Sequence, residues 1–78
     1  MKDRQAVAIF SALAQETRLA IVRALVKSGP GGLSAGTIAE HVGASPSNVS
    51  FHLTTLENAG LLTSRREQRS IVYVCDFS

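Results

Sequence analysis

Residues 34–62, SAGTIAEHVGASPSNVSFHLTTLENAGLL, carry two apolar stripes at helical spacing with Gly43 between them. Ser34 is placed to cap a helix over 35–42, whose Ile38, Ala39 and Val42 fall on one face. Gly43 follows at the position where a left-handed backbone costs a glycine least. Ser45 then caps a second helix and Pro46 takes its first position, where a missing N–H does no harm. Val49, Leu53 and Leu56 (i, i+4, i+7) form the buried stripe of this helix, and Gly60 ends it. Two short helices only about three residues apart make a helix-turn-helix.

The second helix has an informative outer face. Opposite its stripe lie Ser47, Phe51, Thr54, Thr55 and Asn58, with Asn48 and Ser50 at the flanks. The only nearby acid, Glu57, falls toward the buried side. Short hydroxyls and amides reach phosphates or base edges without holding a helix out of a DNA groove. The helix start, with Ser45, Ser47 and Asn48, also offers free N–H groups to a phosphate. Two readings of Phe51 stand: contact with a thymine methyl, or partial packing against the preceding helix. His52, at the stripe's edge, is open to two as well, a phosphate donor or a satisfied histidine between helices. His41 reads as a surface residue, and neither histidine has a partner at metal-ligand spacing.

Beyond Gly60 the period shortens to two. Residues 61–65 and 70–75 read as strands around Arg66-Glu67-Gln68-Arg69, forming a hairpin, or wing. The turn has no glycine, so Glu67 or Gln68 takes a positive φ, or the loop is longer. Arg65, Arg66 and Arg69 cluster here, whereas residues 28–64 contain no Lys or Arg. Beside a DNA-reading helix, that cluster points to phosphate contact. Upstream, one helix is expected over Arg4–Ala14, with Ala6, Phe10, Leu13 and Ala14 in phase. A second is expected over Glu16–Ser28, burying Leu19, Val22, Leu25 and Val26 and leaving Arg18, Arg23 and Lys27 outside. Gly29-Pro30-Gly31-Gly32 stops it. The expected fold is thus α+β and mainly α: a winged helix-turn-helix of four helices and a two-stranded hairpin, one domain over 1–78.

The remaining bounds exclude more than they assign. A 78-residue chain with net charge +2 holds one modest core and has an ordinary globular composition. No apolar run approaches the ~18 residues of a membrane span, and no signal-peptide pattern opens the chain. A single cysteine, Cys75, forms no internal disulfide, which agrees with a reducing, cytoplasmic setting. There is no Ser-His-Asp set, paired carboxylate or phosphate-cradling loop, so the chain reads as no enzyme. The competing reading is a winged helix used to bind protein, with Phe51 as the anchor. Val7, Ile9, Phe10 and Leu13 give the first helix more apolar surface than one core face needs, which points to an intersubunit contact.

With these pieces in place, the chain resembles the ArsR/SmtB family of winged-helix repressors over Leu13 to Tyr73. The resemblance is carried by LAQETRLAIVRAL around Thr17 and Arg18, by IAEHVGASPSNVSFHLTTLENAGLL, and by the wing SRREQRSIVY. It implies a homodimer that binds an imperfect palindrome in double-stranded DNA and leaves it when an inducer binds. It also implies that Ser47, Asn48, Ser50, Phe51 and His52 face DNA, with Arg65, Arg66 and Arg69 on flanking phosphates or the minor groove. Two departures stand out. Many members carry a Cys-x-Cys pair where this chain has Ser34 and Gly36, so that thiolate site is absent. The long helix that usually follows the wing and builds the dimer is missing, which leaves the interface to the first helix or makes the chain a fragment. The VSFHL segment resembles an arsenite-responsive bacterial subgroup, which implies arsenite as inducer through cysteines outside this chain and no cofactor within it. Cys75 is either a strand residue or, in that setting, a ligand or redox sensor.

Overall fold

The computed structural model describes residues 3–76, with the side chains of Gln5, Phe10 and Leu13 outside the description. Three helices and a small antiparallel sheet follow one another: α1 (Asp3–Ser28), a 3-10 turn (Gly29–Gly31), β1 (Leu33–Ser34), α2 (Ala35–Val42), α3 (Pro46–Asn58), β2 (Leu62–Glu67) and β3 (Ser70–Cys75).

The two expected N-terminal helices are one continuous helix of 26 residues. Nothing at their junction breaks it, because Ala14, Gln15 and Glu16 are all good helix formers. The changed apolar phase there marks a change of surroundings and no break in the backbone. At 1.5 Å per residue α1 is about 39 Å long, and the molecule measures 45 Å along its longest axis.

The core joins all the layers: Ile21 and Leu25 from α1, Ile38 and Ala39 from α2, Val49, Leu53 and Leu56 from α3, and Leu62 from β2. The stripe assigned to α1 therefore needs correcting. Leu25 is buried and Val22 half-buried, but Leu19 and Val26 are about half exposed and Ile21 takes the inward position. Leu19 lies roughly 160° around the helix from Ile21, so one face cannot bury both.

The sheet has three strands in the order β1-β3-β2, one more than the hairpin expected. Leu33 pairs with Tyr73 and Ser34 with Val72. The added strand depends on Gly32, whose φ is +70°: a Cβ there would lie 2.5 Å from the Tyr73 carbonyl oxygen and 2.6 Å from a Val72 methyl. Glycine alone allows the chain this close to β3. The hairpin turn is tight, with Gln68 and Arg69 between the strands, and the positive φ falls on Gln68 at 56°.

Candidate nucleic-acid interface

The second helix of the helix-turn-helix, α3, is fixed at both ends and along one side. Gly43 adopts the left-handed conformation and donates its N–H to the Ala39 carbonyl, closing α2. Ser45 Oγ accepts from the Asn48 N–H at 3.3 Å, and Pro46 opens the helix. Val49, Leu53 and Leu56 anchor the inner side, as their spacing requires.

The outer side carries Ser47, Asn48, Ser50, Phe51, Thr54 and Asn58, all exposed, with Thr55 half-buried at the edge. Phe51 is 64% exposed. Most of the ring is therefore open, and its one ring contact among the described residues is edge-on to His52 of the same helix. Thr54 and Thr55 donate their hydroxyl protons to the Ser50 and Phe51 carbonyls, each at 3.1 Å. Their oxygens keep lone pairs for acceptance. The acid nearest this face is diverted: Glu57 accepts from the Ser64 hydroxyl of β2 at 2.6 Å. A polyanion thus meets donors and an aromatic edge here without a free carboxylate.

His52 departs from the expected set. It is only 6% exposed and turned inward, so it does not share the face of Ser47 and Phe51. Its Nδ1 accepts from Arg18 Nε at 3.4 Å, which places the neutral ring's proton on Nε2. Burial first, and the Arg18 charge second, hold its pKa below the ordinary 6.5. Arg18, expected outside, is half-buried and ties α1 to the back of α3. No local pattern signals this contact, because its partners are 34 residues apart.

The wing presents different residues on its two faces. Leu62 is buried, so by strand alternation Ser64 and Arg66 share its side while Thr63, Arg65 and Glu67 take the other. Cross-strand pairing agrees: Arg66 stands opposite Ile71, and Arg65 opposite Val72. Arg66 and Arg69 are exposed and have no ion pair or side-chain hydrogen bond among the described residues. Arg65 is engaged instead, with Glu67 and with the carbonyls of Pro30 and Gly31. Cys75 sits half-buried on β3, its thiol 3.8 Å from the Val22 carbonyl and its pKa raised by burial.

A capped helix with an acid-free outer face, set beside a wing with two free arginines, defines a winged helix-turn-helix of the DNA-binding class. The chain belongs to the helix-turn-helix domain family, which it matches over residues 13–65. It is 40% identical over 68 residues to YceK, an uncharacterized HTH-type transcriptional regulator of Bacillus subtilis (strain 168), spanning 87% of this chain and 67% of YceK. It is 38% identical over 69 residues to YgaV, an HTH-type transcriptional regulator of Escherichia coli (strain K12), spanning 88% of this chain and 68% of YgaV. Among solved structures it is similar to the homodimeric winged helix-turn-helix DNA-binding domain of a possible ArsR-family regulator from Mycobacterium bovis. That match has a TM-score of 0.71 and 28% identity, over 96% of this chain and 72% of the other. The chain is accordingly a DNA-binding transcriptional regulator and not an enzyme.

Proposed function

We propose that the protein is a homodimeric repressor of the ArsR/SmtB type that reads an inverted-repeat operator. In this reading α3 lies in the major groove. Ser47, Asn48, Ser50 and Phe51 meet base edges, Ser45 and the first N–H groups meet a phosphate, and Thr54 and Thr55 lie along the groove wall. Arg66 and Arg69 bring the wing to flanking phosphates. The observation that carries the reading is the outer face of α3, exposed along its length, free of acid and bearing a largely open Phe51. Dimerisation is supported by the N-terminal half of α1, where Val7 is 64% and Ile9 48% exposed; Phe10 and Leu13, expected in the same contact, have side chains outside the described residues. Apolar surface of this kind on a helix that projects past the core calls for a cover, and a second copy supplies one.

Release by arsenite has no site within these 78 residues. As(III) takes soft thiolates in twos or threes, and the sequence holds one cysteine, half-buried, whose thiol pKa is raised by burial. An arsenite response would therefore need cysteines outside this chain. Among the described residues no helix is long and apolar enough to cross a membrane, which suits a cytoplasmic regulator.

Fluorescence-anisotropy titration against random duplexes at two salt concentrations, with sequencing of the bound fraction, tests the reading. The expected result is an enriched inverted repeat with half-sites about one helical turn apart. Folded protein that binds no duplex at either salt concentration would end it.

A further inference from the structure

Arg65, Arg66 and Arg69 look equivalent in the sequence, but the structure gives Arg65 different surroundings from the other two. Its Nε donates to Glu67 Oε2 at 2.8 Å, Nη1 to the Pro30 carbonyl at 3.2 Å, and Nη2 to the Gly31 carbonyl at 3.1 Å. Three of the five guanidinium donors are thereby engaged within the protein, and the Glu67 carboxylate offsets the charge. The side chain lies on the wing face opposite to Arg66, toward the 3-10 turn between α1 and β1. At the same place Gly32 lets that turn approach Tyr73, Val72 and Val74 of β3, and Leu33–Ser34 adds a third strand.

We propose that Arg65 is a positioning residue: it clasps the wing to the Gly29–Gly31 turn and so sets the direction in which Arg66 and Arg69 are presented, without itself contacting DNA phosphate. The proposal deepens the DNA-binding reading and rests on it. Its physical basis is the shape of the guanidinium. Two neighbouring backbone carbonyls and a carboxylate are met together by a planar fork, whereas a lysine ammonium, though equally charged, has one point from which to donate. The contact also joins residues 34 and 35 positions apart, so it locks the hairpin to the body of the domain and not to its own strand neighbour. A hairpin held only by its ladder would swing about the sheet edge. One held from its outer face by the preceding turn keeps a fixed angle to α3, which the other side of the wing contacts through Ser64 and Glu57.

The test compares Arg65→Lys, Arg65→Ala and Arg66→Ala by duplex affinity across a salt series and by backbone 15N heteronuclear NOE of residues 64–71. For the clasp, Arg65→Lys and Arg65→Ala lose affinity alike, roughly tenfold, the scale of one lost set of charge-assisted hydrogen bonds. Their salt slope stays that of the parent, and the wing NOEs fall. Arg66→Ala instead flattens the slope of log K against log salt by about 0.9 per protomer and leaves the NOEs unchanged. The proposal is overturned if Arg65→Lys binds as the parent does while Arg65→Ala flattens the slope like Arg66→Ala, since Arg65 would then be a phosphate contact. If the folded parent binds no duplex, the DNA-binding reading fails; the clasp is then decided by the NOEs alone, and unchanged values in Arg65→Lys overturn it.

Discussion

Helix α3 and the first half of α1 are both helical and both rich in apolar side chains, yet they relate to the molecule in opposite ways. In α3 the apolar residues occupy one stripe, both ends are capped or closed by hydrogen bonds, and Val49, Leu53 and Leu56 are buried. In α1 before Thr17, no described side chain is buried and Val7 is among the most exposed apolar residues of the molecule. The core accounts for the direction of α3, whereas the described side chains of the N-terminal half of α1 contribute no buried residue to it. Among the described residues of this helix, about 39 Å long, buried side chains begin at Ile21, and the apolar surface before it is what the proposed second copy would cover.

Substitution separates the two regions most sharply. Leu53→Ala removes a fully buried side chain from the centre of the core and is expected to cost about 2–5 kcal/mol in urea unfolding. For a domain of this size that is a large share of the total stability. Ile9→Ala is expected to change the unfolding of the monomer by about 0.5 kcal/mol or less, while shifting the population toward monomer in sedimentation equilibrium. An Ile9→Ala protein as destabilised as Leu53→Ala, at a concentration where only monomer is present, would show that the first half of α1 belongs to the core.

The same contrast explains what could be read in advance. The helix-turn-helix was legible to the residue because its signals are local: Ser34, Gly43, Ser45 and Pro46 each fix a boundary through their own backbone and side-chain chemistry. The outer face of α3 followed from periodicity, and His52, at the edge of the buried stripe, takes the second of its two readings, a satisfied histidine between helices bonded to Arg18. The unity of α1 was missed because a change in apolar phase imitates a break when two halves of a helix have different surroundings. Strand β1 is two residues long, too short for any periodicity, and forms only because Gly32 lets it reach β3. The division of labour among the wing arginines was equally hidden, since Arg65 is set apart by carbonyls more than thirty residues away.

Within the better-anchored region, the cap and the buried histidine contribute on a smaller scale. Ser45→Ala deletes the acceptor for the Asn48 N–H, and a loss of about 1 kcal/mol is expected from the shift in denaturation midpoint. A loss no larger than that of Ser64→Ala, which removes an exposed side-chain contact, would mean that Pro46 and the core fix the helix start unaided. For His52 the sign follows from its lowered pKa. Below pH 6.5 the unfolded chain takes up a proton that the folded chain declines. Stability is therefore complete above that value and is lost as the pH falls through the lower folded value, where an imidazolium would face Arg18. The measurement is the urea midpoint at a series of pH values for the parent and for His52→Gln. A parent profile no steeper than that of the variant below pH 6.5 would mean that His52 protonates freely.

A further small effect belongs to the wing turn, and it is expected to be favourable. Gln68 holds φ at 56°, a region in which the Cβ of an L-residue crowds the following carbonyl. A two-residue hairpin turn ordinarily places glycine at such a position. Gln68→Gly relieves that crowding and at the same time raises the entropy of the unfolded chain, and the two terms oppose each other. The crowding is the larger, so a net gain of about 0.5–1 kcal/mol is expected, read as a rise in Tm. The gain should appear without any change in the salt slope of DNA binding, because Gln68 carries no charge and both free arginines remain. A fall in Tm would show that the positive φ at Gln68 is not strained. The hairpin would then be held in this shape from outside the turn, with the contacts at Arg65 the first place to look.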